Sequence, residues 1–230
     1  MKKSKLAVLL VIPALFLFLY SCSDDSTGNN TNPSVVTSIG GTINGLPANS
    51  RIIKSEISND SLTFLAGTDT ATSSGAFSIN LSAPPNNVLR NLADLFSFIP
   101  NDNNFSSAAM GNFLFSNTYS SDSSYFSGNL MKSNRYITNN NMEIGDYSIS
   151  YLYCNANENF TGNYLSIFNA DSFKYNVSLN LQTGYNPVTY TLKTKRTNYK
   201  EFDITGGETA GASWYYYGLL DNLFMPFKYE

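Results

Sequence analysis

Strict alternation of apolar and polar side chains constrains this chain most. In Phe173 to Leu181 every odd residue is apolar and every even one polar. Val188, Tyr190 and Leu192 repeat the pattern, as do Phe77, Ile79 and Leu81, and Tyr147, Ile149, Tyr151 and Tyr153. Successive side chains of a strand point to opposite faces, so period two means one buried and one wet face, as in antiparallel sheets. Weaker strands are expected over residues 38–44, 51–58, 62–67, 112–119, 125–132, 164–168 and 213–217. The Gly and Pro of Gln182 to Pro187 suit a turn, so the strands before and after it are expected to pair as a hairpin. Ten or so strands at short spacing predict an all-β, antiparallel β-sandwich, one large or two small.

One helix is expected near 86–96. Pro84 and Pro85 precede Asn86, a good N-cap, and Val88, Leu89, Leu92, Leu95 and Phe96 would share a face before Pro100 stops it. That segment would divide the body into a first half, 36–100, and a second, 101–230. No internal repeat is evident.

The N-terminus has a different character. Lys2, Lys3 and Lys5 precede an apolar run from Leu6 to Leu19, broken only by Pro13. The run is shorter than the ~20 residues of a spanning helix and has the layout of a secretory signal. Leu19-Tyr20-Ser21-Cys22 resembles the lipobox of bacterial lipoproteins. That resemblance implies a signal peptide over 1–21, cleavage between Ser21 and Cys22, and lipidation of Cys22. Tyr20 departs from the small residue usual there. Acyl chains, at ~0.8 kcal/mol per buried methylene, would anchor the protein without a spanning helix. Ser23-Asp24-Asp25 resembles the acidic signal of surface-displayed lipoproteins, which would imply display on the outward face of the outer membrane; the other reading is two acids in a polar tether, which leaves the face open. Residues 22–35, rich in Asn, Ser and Thr, read as a flexible tether.

Composition closes several functional classes. There are no histidines and two cysteines. A His-liganded metal, His-based acid–base catalysis, a Cys-held zinc and a disulfide scaffold are all excluded. No cofactor or metal is expected. The net charge is -3, and loss of the signal would remove three of the 14 basic side chains and none of the 17 acids. Nucleic acid is therefore not an expected partner.

Two further resemblances concern the body. Gly41-Thr-Ile-Asn-Gly45 with Thr72 to Ser82 looks like the opening of transthyretin-like or carboxypeptidase-regulatory-like β-sandwich modules. Tyr151 to Asn157, the turn at Leu181 to Asn186 and Trp214-Tyr215-Tyr216 are similar to a group of uncharacterised secreted bacterial lipoproteins. That group usually has Trp in the turn, where this chain has Tyr185, and it implies no activity.

Candidate chemistry is sparse. Cys154 lacks a partner to activate it and reads as a packing residue. Glu143, Asp146, Glu158, Asp171, Glu201, Asp203 and Glu208 are scattered through turn-like segments, with no pair marked for glycoside hydrolysis. Asn101 to Asn104 and Asn155 to Asn159 lack the spacing of a calcium loop and read as turns. Trp214 and Tyr216 share one strand face and are a possible binding face, able to stack on sugars if outward. As the only Trp, Trp214 is expected instead to pack in the core. The sequence thus predicts a lipid-anchored structural or binding module without catalytic activity, with a cell-surface glycan or protein as partner. The alternative is a glycan-acting hydrolase using a carboxylate pair.

Overall fold

A computed structural model of the chain describes residues 34–59, 61–91, 112–122, 125–168 and 170–218. Its regular elements are strands: β1 (Ser38–Asn44), β2 (Ile52–Ser58), β3 (Thr63–Thr70), β4 (Ala76–Asn80), β5 (Arg90–Asn91), β6 (Asn112–Asp122), β7 (Tyr125–Ser133), β8 (Tyr147–Cys154), β9 (Glu158–Phe168), β10 (Asp171–Leu181), β11 (Gly184–Arg196), β12 (Tyr199–Gly206) and β13 (Ser213–Gly218). The all-β, sandwich-like class read from the sequence is the one observed.

The sheet forks. Strands β6, β7 and β8 each pair with both of the others. From β8 one trunk runs through β11, β12 and β10 to β9. One branch runs through β7, β13 and β1 to β4, the other through β6 and β2 to β3. Pairing is antiparallel except for β1 with β13 and β10 with β12, which are parallel.

The two branches face each other across a core. Ile43, Phe77, Ile79 and Trp214 meet Ile53, Ile57 and Ala66 there. A Cβ added at Gly67 of β3 would run into Ile79 and the backbone of Asn80, so the branches touch at that point. A second core covers one face of the trunk, with Tyr175, Val177, Val188, Tyr190, Phe202 and Ile204 among its members. β8 serves both. Its Ile149, Tyr151 and Tyr153 belong to the first core and its Leu152 and Cys154 to the second.

Two expectations are corrected. The helix near 86–96 does not start. Residues 86–88 form a turn, closed by Val88 N donating to Pro85 O (3.1 Å) and Leu89 N to Asn86 O (3.2 Å), and β5 then pairs with β6. Asn59 Nδ2 donates to the carbonyls of Asn87 (3.1 Å) and Val88 (2.9 Å). Val88 and Leu89 are both buried; tertiary burial outweighed a helical spacing that rested on few residues. Residues 92–96 lie outside the described residues. Nor do β10 and β11 form a hairpin, because β12 lies between them. The buried Asn186 shapes that connection. Its side chain accepts from Gln182 N (2.8 Å) and donates to Gln182 O (2.7 Å), Gly184 O (2.9 Å) and Leu152 O (3.4 Å).

Strands from either side of residue 100 pair with each other: β1 with β13, and β2 with β6.

Candidate functional site

Among the described residues, the face of the trunk opposite the second core carries a connected set of polar side chains. Alternation along β12 puts Tyr199, Glu201 and Asp203 on the face opposite Phe202 and Ile204. In the neighbouring strand Lys174 stands beside Glu201 and Asn176 beside Asp203. Lys174 Nζ donates to Glu201 Oε1 at 2.9 Å. Asn176 Nδ2 donates to Glu201 Oε1 and to Asp203 Oδ1, each at 3.0 Å. Thr194 Oγ1 (3.3 Å) and the Tyr199 hydroxyl (3.5 Å) reach Glu201 Oε2, and Lys193 Nζ lies 3.6 Å from Asp203.

This lattice favours the charged forms of Glu201 and Lys174. The Asn176 and Lys174 bonds hold the Glu201 carboxyl at about 2, against an ordinary 4.5. Glu201 in turn raises the Lys174 ammonium above its usual value. A carboxyl pair that shares one amide resembles the arrangement glycoside hydrolysis needs. Its acid member, however, is held ionised rather than protonated, the reverse of what a general acid requires.

Other acids are committed elsewhere. Asp146 accepts from Arg135 Nε (2.7 Å) and Nη2 (2.6 Å) and from Glu143 N (2.6 Å). Burial pushes its carboxyl up, but the bonds from Arg135, the Glu143 amide and Asn134 outweigh it and the net shift is downward. Glu208 accepts from the Tyr151 hydroxyl (2.7 Å) and from Lys132 Nζ (2.5 Å). With Tyr147 Oη donating to Ala210 O (2.6 Å), these bonds pin the β12–β13 connection to the sheet. Every buried side-chain nitrogen or oxygen among the described residues has a partner.

The aromatic strand turns inward. Trp214 is 3% exposed. Its Nε1 donates to Gly40 O at 3.0 Å, and its ring packs edge-on against Phe77 (5.4 Å) and stacks on Tyr151 (6.2 Å). Tyr216, half-buried against the same core, donates to Ser127 O at 2.9 Å. The possible binding face formed by Trp214 and Tyr216 is therefore part of a core, because its rings fill the gap between the two branches. Cys154 is wholly buried, its Sγ 2.7 Å from Ala156 O, and burial pushes its thiol up to about 11. Asn155 bonds Asn86, and Asn157 accepts from Thr183, as turn residues do. Ser21, Cys22 and Asn101 to Asn104 lie outside the described residues.

Sequence reading missed β12 altogether. Three charges in five residues, Lys200, Glu201 and Asp203, hid the alternation of Phe202 and Ile204; the signal was there in those two apolar positions.

No protein-family model, curated protein or solved structure matches the chain.

Proposed function

We propose that this protein is a lipid-anchored, extracytoplasmic binding or structural module of the outer membrane, without catalytic activity, and that the polar trunk face is its contact surface. The observation that carries this reading is the Lys174–Asn176–Glu201–Asp203 lattice. It is a hydrogen-bonded, part-exposed polar array on a sheet, suited to hydrogen bonding a hydroxyl-rich glycan or a polar protein surface, with Glu201 held too low to donate a proton. Tyr199 beside it adds a ring edge and a hydroxyl. The lipid anchor rests on the lipobox-like Leu19 to Cys22.

Two experiments test the reading. Fatty-acid labelling of cells should mark the wild type and not Cys22→Ala; label that persists in Cys22→Ala removes the anchor. On a glycan and surface-protein array, Tyr199→Ala and Lys174→Ala should weaken whatever ligand the wild type retains, with melting little changed. Release of reducing ends from polysaccharide by the wild type, lost in Glu201→Gln, would instead establish the hydrolase.

A further inference from the structure

The sheet treats its end strands unequally. β4 is five residues long, and its Ser78 N–H is capped by the Asp69 carboxylate at 2.7 Å. β3 meets its partner across a bulge between Ser55 and Glu56. Short length, a charge at the edge and a bulge are the usual protections against edge-to-edge association. β9 is neither short nor bulged, and its one charge, Glu158, stands at its first residue. It runs eleven residues in unbroken register with β10, which is its only strand neighbour among the described residues. From Asn159 to Phe168 it holds no proline and no charged residue. On its outer face Leu165 and Ile167 are 45% and 70% exposed.

We propose that β9 is a homotypic docking edge, which pairs antiparallel with β9 of a second copy of this chain about a two-fold axis through Ser166. Two observations select that occupant. In this register Leu165 lies opposite Ile167 of the second copy, and Ile167 opposite its Leu165, so each exposed apolar side chain covers the other on both sides of the axis. The stretch that pairs, residues 164–168, carries no charge, so two identical, net acidic chains approach without like charges in contact, and a charged foreign strand would find no complement on it.

Site-directed cross-linking of the purified full chain in detergent tests this. In a Cys22→Ala background, Ser166→Cys should give a disulfide or short bismaleimide dimer on non-reducing gels, whereas the Cys22→Ala parent, with only the buried Cys154, should not. Adding Ile167→Lys should cut the cross-linked fraction about tenfold, because the new ammonium would face Leu165 of the second copy with Lys174 beside it. A mixture of Ile167→Lys and Leu165→Glu chains, each in the Ser166→Cys background, should recover it. Both sites are exposed, so melting should hold; if Ile167→Lys does not fold, Leu165→Lys replaces it. Three results overturn the proposal: a monomer by sedimentation up to ~100 μM, far above the Kd of a stable dimer; cross-linking at Asn163→Cys in place of Ser166→Cys; or a dimer indifferent to both lysine substitutions.

Discussion

Trp214 shows how one side chain can hold two strands together. Its ring fills the space between Phe77 and Tyr151, and its Nε1–H satisfies Gly40 O. Trp214→Ala should cost about 3–5 kcal/mol in chemical denaturation, as a large buried ring is lost and a cavity is left. Native fluorescence should be blue-shifted, since this is the only indole in the chain. Glu201 gives a pH dependence. Its folded pKa of about 2 lies below the ordinary 4.5, so its contribution is fully present above about 4.5 and is lost as pH falls toward 2. Melting temperature should drop through that window, and Glu201→Gln should flatten the drop while lowering stability at neutral pH. The burial of Trp214 was legible from its rarity. The Glu201 lattice was not, because Lys174, Asn176 and Glu201 come together only through a parallel pairing that no local pattern announces.

At the scale of elements, alternation predicted where strands lie far better than what they pair with. Ser38–Asn44 has the bounds expected of it, and the apolar positions of β4, β8 and β10 are buried as expected except Tyr147 and Phe173 at the strand starts, which are half-buried. Two local signals misled. The Gly–Pro turn after Leu181 promised a hairpin, but β12 came between β10 and β11. A helical spacing of apolar residues after Asn86 yielded to the burial of Val88 and Leu89. One-sided alternation in β8 also concealed that its Leu152 and Cys154 face a second core, since serines at 148 and 150 looked like a wet face; Ser148 is in fact buried. The β3–β4 contact gives a prediction at this scale. Gly67→Ala places a methyl against Ile79 and the Asn80 carbonyl, and backbone cannot move aside as a flexible side chain can. The variant should melt several degrees lower, by roughly 1–3 kcal/mol of overpacking, whereas Gly45→Ala, where a Cβ would meet nothing, should lose only the smaller cost of its positive φ (77°).

For the molecule as a whole, the fork at β8 makes the two cores interdependent. A probe set in β8 should therefore report their joint opening. Cys154 is such a probe: it is wholly buried with a thiol pushed up to about 11. In a Cys22→Ala chain, a thiol reagent at pH 8 should label Cys154 at a rate that follows global unfolding, and Leu152→Ala and Ile149→Ala should each accelerate it although they line different cores. Labelling at the rate of a free thiol would show that the trunk opens by itself. The pairing of Ile43 with Trp214 has a kinetic meaning as well. The first and last described strands are neighbours, so closing the branch between them requires a loop of most of the chain. The entropy of that closure precedes its reward, and contacts so distant in sequence slow folding. A chain still being synthesised has no β13 to offer β1. The core between the branches is thus completed only once the polypeptide has been made through Trp214, so any β1 formed earlier waits with one edge unpaired and its Ile43 uncovered.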